Sequence, residues 1–176
     1  MKENYMTTLS MTIRLAVFIT FLPLAVFAQD PPDYDASVPT PTYAGIRYGD
    51  HERNILDFWQ AESNESTPLV FVIHGGGWKS GEKERVHRFV DVKQLLDAGI
   101  SVAAINYRLM KHADEEGVTP PVKAPMYDAA RALQFVRSVA EAWNIDTERI
   151  GAAGGSAGAC TSLWLAYHDD IADPDN

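Results

Sequence analysis

One serine surrounded by very small residues is the feature of this sequence best suited to chemistry. Ser156 is the centre of the segment GGSAG, residues 154–158, which has the G-x-S-x-G pattern. In that pattern a tight strand-to-helix turn strains the backbone and exposes the serine hydroxyl as a nucleophile. A glycine-rich turn without catalytic function, including one that binds phosphate, matches the same five residues. The sequence has neither the lysine of a P-loop nor the spacing of a dinucleotide-binding loop at this point.

A run of three glycines forms a second motif, which favours the catalytic interpretation. The segment HGGGW, residues 74–78, directly follows an apolar run. Consecutive glycines allow backbone N–H groups to approach a ligand closely. Acyl transfer needs such donors, because negative charge develops on the carbonyl oxygen of the tetrahedral intermediate. We therefore predict Ser156 as the nucleophile and the N–H groups of Gly76, Gly77 and Ala157 as the oxyanion hole.

The elements that must position these motifs follow an alternating pattern. Apolar runs and helical spacing predict a strand over 68–74, a helix over 82–99, a strand over 100–107, a helix over 124–145, a strand over 150–153 and a helix over 157–168. Two short strands, 45–49 and 54–60, form a predicted hairpin before them, and a loop of about a dozen residues follows residue 107. The alternation predicts a parallel α/β sheet with both glycine motifs at the carboxyl ends of strands, where such sheets bind ligands.

Four segments carry a resemblance to a known fold: residues 74–78, 106–109, 128–146 and 154–158. From about residue 44 onward the sequence resembles the α/β-hydrolase fold. Within that fold it is similar to secreted bacterial esterases of the carboxylesterase, hormone-sensitive-lipase-like and feruloyl- or acetyl-esterase groups. The resemblance implies hydrolysis of small acyl or carbohydrate-linked esters through an acyl-enzyme on Ser156, without a cofactor or a metal. Many relatives have an acidic residue at the position of Gly155, so the subgroup stays open.

Other functions are compatible with the same motifs. A lipase or a serine peptidase of the same fold would share the serine turn and the glycine loop. A non-catalytic hydrolase-like binding protein, or an inactive fragment, would also retain them, because a fold does not by itself fix a function.

The sequence offers no obvious base for the serine. In this fold the acid and the histidine of the catalytic triad follow the serine in chain order. His168 follows Ser156, but twelve helical residues would separate them by about 18 Å. His74 is expected to be structural. The remaining histidines are expected to be solvated: His51, His87 and His112.

We therefore expect the triad acid and histidine beyond Asn176. On that expectation the chain is a truncated N-terminal half of an α/β-hydrolase, with a mostly parallel sheet and flanking helices. It would not have wild-type activity alone.

The first 43 residues are predicted to lie outside the hydrolase domain. Residues 1–28 combine positive charge with an apolar run from Leu15 to Ala28, the pattern of a secretory signal. An uncleaved membrane anchor is the alternative, although this run is shorter than the ~20 residues of a spanning helix. Residues 29–43 are rich in proline and aspartate and predict a linker or an extended arm. Residues 44–176 would then be the hydrolase portion of a secreted or periplasmic protein.

Composition narrows the possible partners. The formal net charge of -9 argues against nucleic acid and anionic membrane surfaces, and the expected partner is a small ester substrate. No pair of histidines has metal-ligand spacing, and the oligomeric state is left open.

Several further residues carry structural expectations. Cys160, the one cysteine, cannot form an internal disulfide and is expected to be buried. Asp128 and Arg131 are expected to form a surface or helix-start pair, and Trp78 either lines the substrate pocket or covers the first helix. Tyr107 and Arg108 are expected to be structural.

Overall fold

The apolar runs of the sequence become strands of a five-stranded sheet in the computed structural model, which describes residues 33–168. In chain order the strands are β1 (Tyr43–Arg47), β2 (Ile55–Trp59), β3 (Thr67–Ile73), β4 (Ser101–Ile105) and β5 (Ile145–Gly154). Across the sheet their order is β1-β2-β4-β3-β5. β3 is parallel to both β4 and β5, whereas β2 is antiparallel to β1 and β4. The predicted hairpin and the predicted parallel core of an α/β fold are both present.

Helical segments connect these strands and cover the sheet. They are a 3₁₀ segment (Lys83–Arg88), α1 (Val92–Asp97), α2 (Met110–Glu115), α3 (Lys123–Ser138) and α4 (Ala157–Tyr167). Among residues 33–168 no helix has the length and hydropathy needed to cross a membrane. The predicted signal segment, residues 1–28, lies outside the described residues.

Both faces of the sheet are buried at its central strands, β3 and β4. Side chains alternate between the two faces along a strand, so neighbouring residues of β3 enter different clusters. Phe71 packs in one cluster with Ala129 and Val136 of α3, whereas Val72 packs in the other with Val86 of the 3₁₀ segment. All five residues of β4 are buried. Burial on both faces explains why the central strands are continuously apolar rather than alternating.

Helix boundaries differ from the sequence prediction in several places. The single helix expected over 82–99 is wrong, because the Asp91 side chain accepts the N–H of Gln94 at 3.0 Å and caps a separate helix, α1. α2 occupies part of the predicted loop, and its six residues are too few to show helical periodicity. The helix predicted over 124–145 ends at Ser138, and the strand predicted over 150–153 is the end of the longer β5.

The described part of the proline-rich segment before β1 packs along the sheet. The Tyr34 ring meets the Trp59 ring edge-to-face with centroids 5.4 Å apart, and Trp59 Nε1 donates to the carbonyl of Pro39 at 2.7 Å. The Tyr34 hydroxyl also donates to the carboxylate of Asp57 in β2. The described part of this segment, residues 33–42, therefore packs against β2. Residues 29–32 lie outside the described range.

Candidate active site

Ser156 occupies a strained turn between β5 and α4. Its backbone has φ 53° and ψ −116°, a conformation that non-glycine residues rarely adopt. The Ser156 side chain is exposed. Such strain costs free energy and persists only where the surrounding structure enforces it, most often at functional sites. The turn thus has the geometry expected for a nucleophile elbow.

Two glycines allow the helix after this turn to approach the sheet. A Cβ atom on Gly154 would lie 2.3 Å from the carbonyl oxygen of Ile73, and one on Gly158 would lie 2.0 Å from the same atom. Both distances are far below any permitted contact, so only glycine fits at either position. The spacing of glycine two residues before and two residues after Ser156 therefore has a direct steric cause.

The glycine loop after β3 adopts an equally unusual backbone. Gly76, Gly77 and Trp78 have φ values of 111°, 61° and 57°. The carbonyl oxygen of Gly76 accepts the N–H groups of Lys79 and Ser80, at 3.0 and 3.2 Å, which closes the turn. Within residues 33–168 no backbone carbonyl accepts the N–H of Gly76 or Gly77. These two donors therefore remain available to a ligand.

The sheet register brings the loop and the serine turn together. β3 and β5 are neighbours, and Ile73 pairs with Gly154 at their carboxyl ends. A Cβ atom on Gly75 would lie 2.6 Å from the carbonyl oxygen of Gly155 and 3.7 Å from Cβ of Ser156. The loop and the turn are thus in direct contact. Ala157 begins α4, where N–H groups lack intrahelical acceptors and the helix dipole favours negative charge.

His74 contacts the start of the glycine loop and helps to hold its backbone. Its ring is buried, stacks on the Tyr107 ring at 4.1 Å, and places Nδ1 2.8 Å from the carbonyl oxygen of Gly75. Burial lowers the pKa of His74 to about 4, so the ring is neutral near pH 7. In the neutral tautomer that donates from Nδ1, the ring holds the Gly75 carbonyl in place. The expected structural role of His74 agrees with this geometry.

Arg53 is a structural residue of the site that the sequence did not reveal. Its Nε donates to the carbonyl of Tyr107 at 2.8 Å and its Nη2 donates to the carbonyl of Gly81 at 2.7 Å. Nη2 also lies 3.5 Å from Nε2 of His74. The Tyr107 hydroxyl donates to the carbonyl of His74 at 2.8 Å. Arg53 thus connects both ends of the glycine loop to the segment that follows β4. No local sequence pattern indicates this link.

Trp78 connects the glycine loop to α4. Its Nε1 donates to the Thr161 hydroxyl at 3.1 Å, and that hydroxyl donates to the carbonyl of Ala157 at 2.9 Å. Trp78 therefore neither covers the first helix nor lines the cleft beside Ser156.

Cys160, on α4, is exposed rather than buried as expected. α4 turns Gly158 and Thr161 toward the sheet, which leaves Cys160 on its other face.

Asp128 is buried and pairs with Arg108, rather than forming the expected surface or helix-start pair with Arg131. Its carboxylate accepts the backbone N–H of Arg108 at 2.8 Å and the Arg108 guanidinium at 2.6 Å, and Glu116 accepts a second guanidinium bond. Hydrogen bonding to Asp128 raises the pKa of Arg108 further. Arg108 follows β4 directly, so this ion pair secures α3 to the end of the strand. Both residues are structural.

A cleft of about 340 Å³ opens beside Ser156. Its lining residues are His74, Gly75, Gly76, Gly81, Arg85, Arg88, Phe89, Gly155 and Ser156. A Cβ atom on Gly155 would lie 2.7 Å from the Phe89 ring, so the ring fills the space that a side chain at position 155 would need. The cleft thus joins the glycine loop, the serine turn and the 3₁₀ segment.

The five histidines of the sequence all lie within residues 33–168. His168 Nδ1 lies 3.0 Å from the carbonyl oxygen of Trp164 at the end of α4, and His87 is exposed as expected. His112 is buried rather than solvated, because its Nδ1 accepts the N–H of Leu109 at 3.0 Å and its ring lies against His51. No side chain in this part of the protein contacts Ser156 as a base. Nor does any cluster of three His, Cys, Asp or Glu residues there have metal-binding geometry.

The sequence matches a protein-family model and a known enzyme. The BD-FAE family model matches residues 56–176. Kynurenine formamidase from Debaryomyces hansenii is 31% identical over 135 residues, which cover 73% of this chain and 41% of that protein.

Two solved structures, a carbohydrate esterase and an acetyl ester-xyloside hydrolase, share the fold. The truncated form of a carbohydrate esterase from gut microbiota has a TM-score of 0.59 at 25% identity, covering 74% of this chain and 45% of that one. The acetyl ester-xyloside bifunctional hydrolase from Caldicellulosiruptor lactoaceticus has a TM-score of 0.55 at 29% identity, covering 84% and 46%. The chain spans less than half the length of each of these proteins.

Proposed function

This chain belongs to the BD-FAE family of α/β-hydrolase esterases, and we propose that the full-length protein hydrolyses carboxylic esters with Ser156 as its nucleophile. The observation that carries the proposal is the strained, exposed Ser156 in contact with the glycine loop. A turn that only connected β5 to α4 would gain nothing from this strain.

The glycine loop and α4 supply the groups that acyl transfer requires. Attack of the Ser156 hydroxyl oxygen on an ester carbonyl forms a tetrahedral intermediate whose oxygen is negative. The N–H groups of Gly76, Gly77 and Ala157 would donate to that oxygen, and removal of one such donor typically costs about 3–4 kcal/mol. Collapse of the intermediate breaks the ester bond and releases the alcohol. Water then hydrolyses the acyl-enzyme and regenerates the serine.

A base and an orienting acid must come from elsewhere in the full-length protein. A serine hydroxyl needs a histidine to accept its proton, and within residues 33–168 no histidine is hydrogen-bonded to Ser156. His74 is neutral, but its two ring nitrogens face the Gly75 carbonyl and Arg53. We therefore assign both groups to a segment beyond this sequence. The matched relatives, which are more than twice as long as the matched region, are consistent with that assignment.

Small acyl esters, including esters on carbohydrate, are the proposed substrates. The cleft of about 340 Å³ beside Ser156 is at the lower end of the volumes of ligand pockets. Two of the matched structures are a carbohydrate esterase and an acetyl ester-xyloside bifunctional hydrolase. A secreted or periplasmic location, proposed from residues 1–28, would expose the enzyme to extracellular polysaccharide.

Hydrolysis of p-nitrophenyl acetate by the purified full-length protein tests the proposed function. Ser156→Ala should reduce kcat/KM by at least about a thousandfold, because the nucleophile acts in the rate-determining chemistry. Ser138→Ala, an exposed serine on α3, is the matched control and should retain the wild-type rate. Wild-type protein without activity, or Ser156→Ala with unchanged activity, would refute the assignment.

A further inference from the structure

Two guanidinium groups and no carboxylate line the cleft beside Ser156. Arg85 and Arg88 are both lining residues, and Asp and Glu are absent from the lining. They are three residues apart in the 3₁₀ segment, which is kinked at Arg85, and both side chains line the same cleft. The chain as a whole is acidic, with a formal net charge of -9. A locally basic cleft is therefore a departure from the rest of the molecule.

The two arginines remain available to a ligand. Arg85 Nε lies 3.2 Å from Oε1 of Glu82, but the two side chains are 45% and 49% exposed. Exposed pairs of this kind contribute little and exchange readily with solvent. Arg88 makes no ion pair with any residue in the range 33–168. Burial is the main cause of the lowered pKa of His74, and the charge of Arg53, followed by that of Arg85, lowers it further.

The segment that carries these arginines is firmly held. Lys83, at its start, is 4% exposed and forms a 2.8 Å ion pair with the fully buried Asp57 of β2. The Lys83 N–H also donates to Oδ1 of Asn106 at 2.7 Å. Val86, between the two arginines, is buried in the core. Arg85 and Arg88 therefore project from a segment that buried contacts hold in place.

The position of the arginines relative to the serine suits a two-point interaction. Phe89, the next residue after Arg88, lies against Gly155, which precedes Ser156. An ester bound at Ser156 with its carbonyl in the glycine loop would have its remaining atoms in this cleft. Arginine binds carboxylates through two parallel N–H bonds, which are stronger than neutral hydrogen bonds.

We propose that the cleft selects esters carrying a second, ionised carboxylate, with Arg88 as the principal anion-binding group and Arg85 as its partner. The inference rests on the proposed function, because it concerns the substrate of Ser156. The carboxylate can belong to the acyl part, as in a dicarboxylic hemiester, or to the alcohol part, as in an acetylated uronic acid.

Matched pairs of esters test the proposal with full-length protein. On the acyl side, p-nitrophenyl butyrate is compared with p-nitrophenyl hemisuccinate. On the alcohol side, an acetylated methyl glucoside is compared with the corresponding glucuronoside. We expect kcat/KM to favour the anionic member of at least one pair by about tenfold or more, the usual effect of a charge-assisted hydrogen bond. The preference should shrink as salt is raised, since screening shortens the reach of exposed charges.

Substitution of Arg88 gives the decisive comparison. Arg88→Gln should reduce the anionic-to-neutral ratio of kcat/KM by about tenfold, and Arg85→Gln should reduce it by a smaller factor. The ratio within one variant does not depend on how much of the protein is folded. Arg137→Gln, an exposed arginine on α3, is the control and should leave the ratio unchanged.

The outcomes separate this inference from the proposed function. If the neutral esters are hydrolysed as fast as the anionic ones, or if Arg88→Gln leaves the ratio unchanged, the anion site is refuted and the esterase stands. If no ester of either pair is hydrolysed, the proposed function fails and this inference fails with it.

Discussion

Gly158 lies so close to Ile73 that a Cβ atom at position 158 would be 2.0 Å from the Ile73 carbonyl oxygen. This contact joins the first turn of α4 to the end of β3. It therefore fixes the position of Ser156 relative to the glycine loop that follows β3. The strain at Ser156 is maintained by this close packing of helix and strand.

Gly158→Ala should destabilise the protein strongly. The Ile73 carbonyl belongs to β3, an interior strand paired on both sides, and cannot move aside, so we expect the free energy of unfolding to fall by about 2 kcal/mol or more. Urea denaturation measures the change. Gly151→Ala is the matched control, because a Cβ atom there meets nothing within 4 Å. Equal losses in the two variants would show that the close approach does not constrain the fold.

Gly76→Ala should impair the reaction of Ser156. With φ at 111°, an alanine Cβ would lie 2.1 Å from the carbonyl oxygen of Ser80. The loop must then rearrange and its N–H donors leave the oxyanion position, so kcat/KM should fall about a hundredfold or more. Gly99→Ala is the control, since Gly99 also has positive φ but open space around it and lies at the end of α1. Similar kinetics for the two variants would remove the loop from the mechanism.

His74 should make the stability of the protein fall in acid. Burial lowers its pKa from the ordinary 6.5 to about 4 in the folded state. Between these values the unfolded chain binds the proton and the folded chain does not, so protonation favours unfolding. The penalty is absent above pH 6.5, grows as the pH falls, and reaches about 3 kcal/mol near pH 4.

Urea titrations at several pH values measure this contribution. The His74→Gln variant should be less stable at pH 7, because the stacking on Tyr107 and the contact with the Gly75 carbonyl are altered. Its stability should nevertheless decline less steeply between pH 6.5 and pH 4 than that of the wild type. An identical slope in both proteins would assign the acid sensitivity to other groups.

The parts of the site that the sequence predicts are those encoded by local pattern. The glycines around Ser156 and the run from Gly75 to Gly77 mark backbone geometries that only small residues permit. This pattern of glycines is visible in the sequence itself. The continuous apolar runs likewise predict buried strands, because both faces of the sheet are covered at β3 and β4.

The residues that the sequence did not reveal act over long separations in the chain. Arg53 bonds to Tyr107 and Gly81, and Arg108 pairs with the buried Asp128. Nothing near Arg53 or Asp128 in the sequence indicates these partners, so both read as ordinary surface residues. The exposure of Cys160 is also a tertiary property, since it depends on which face of α4 turns toward the sheet.

Covalent labelling of the full-length protein with a fluorophosphonate, followed by mass spectrometry of its peptides, tests the central claim most directly. We predict one adduct per molecule, located on the peptide that contains Ser156. The adduct should disappear in Ser156→Ala and persist in Ser162→Ala, six residues further along on α4. An adduct at another residue, an adduct retained in Ser156→Ala, or no adduct on the wild-type protein would contradict the assignment of Ser156 as the nucleophile.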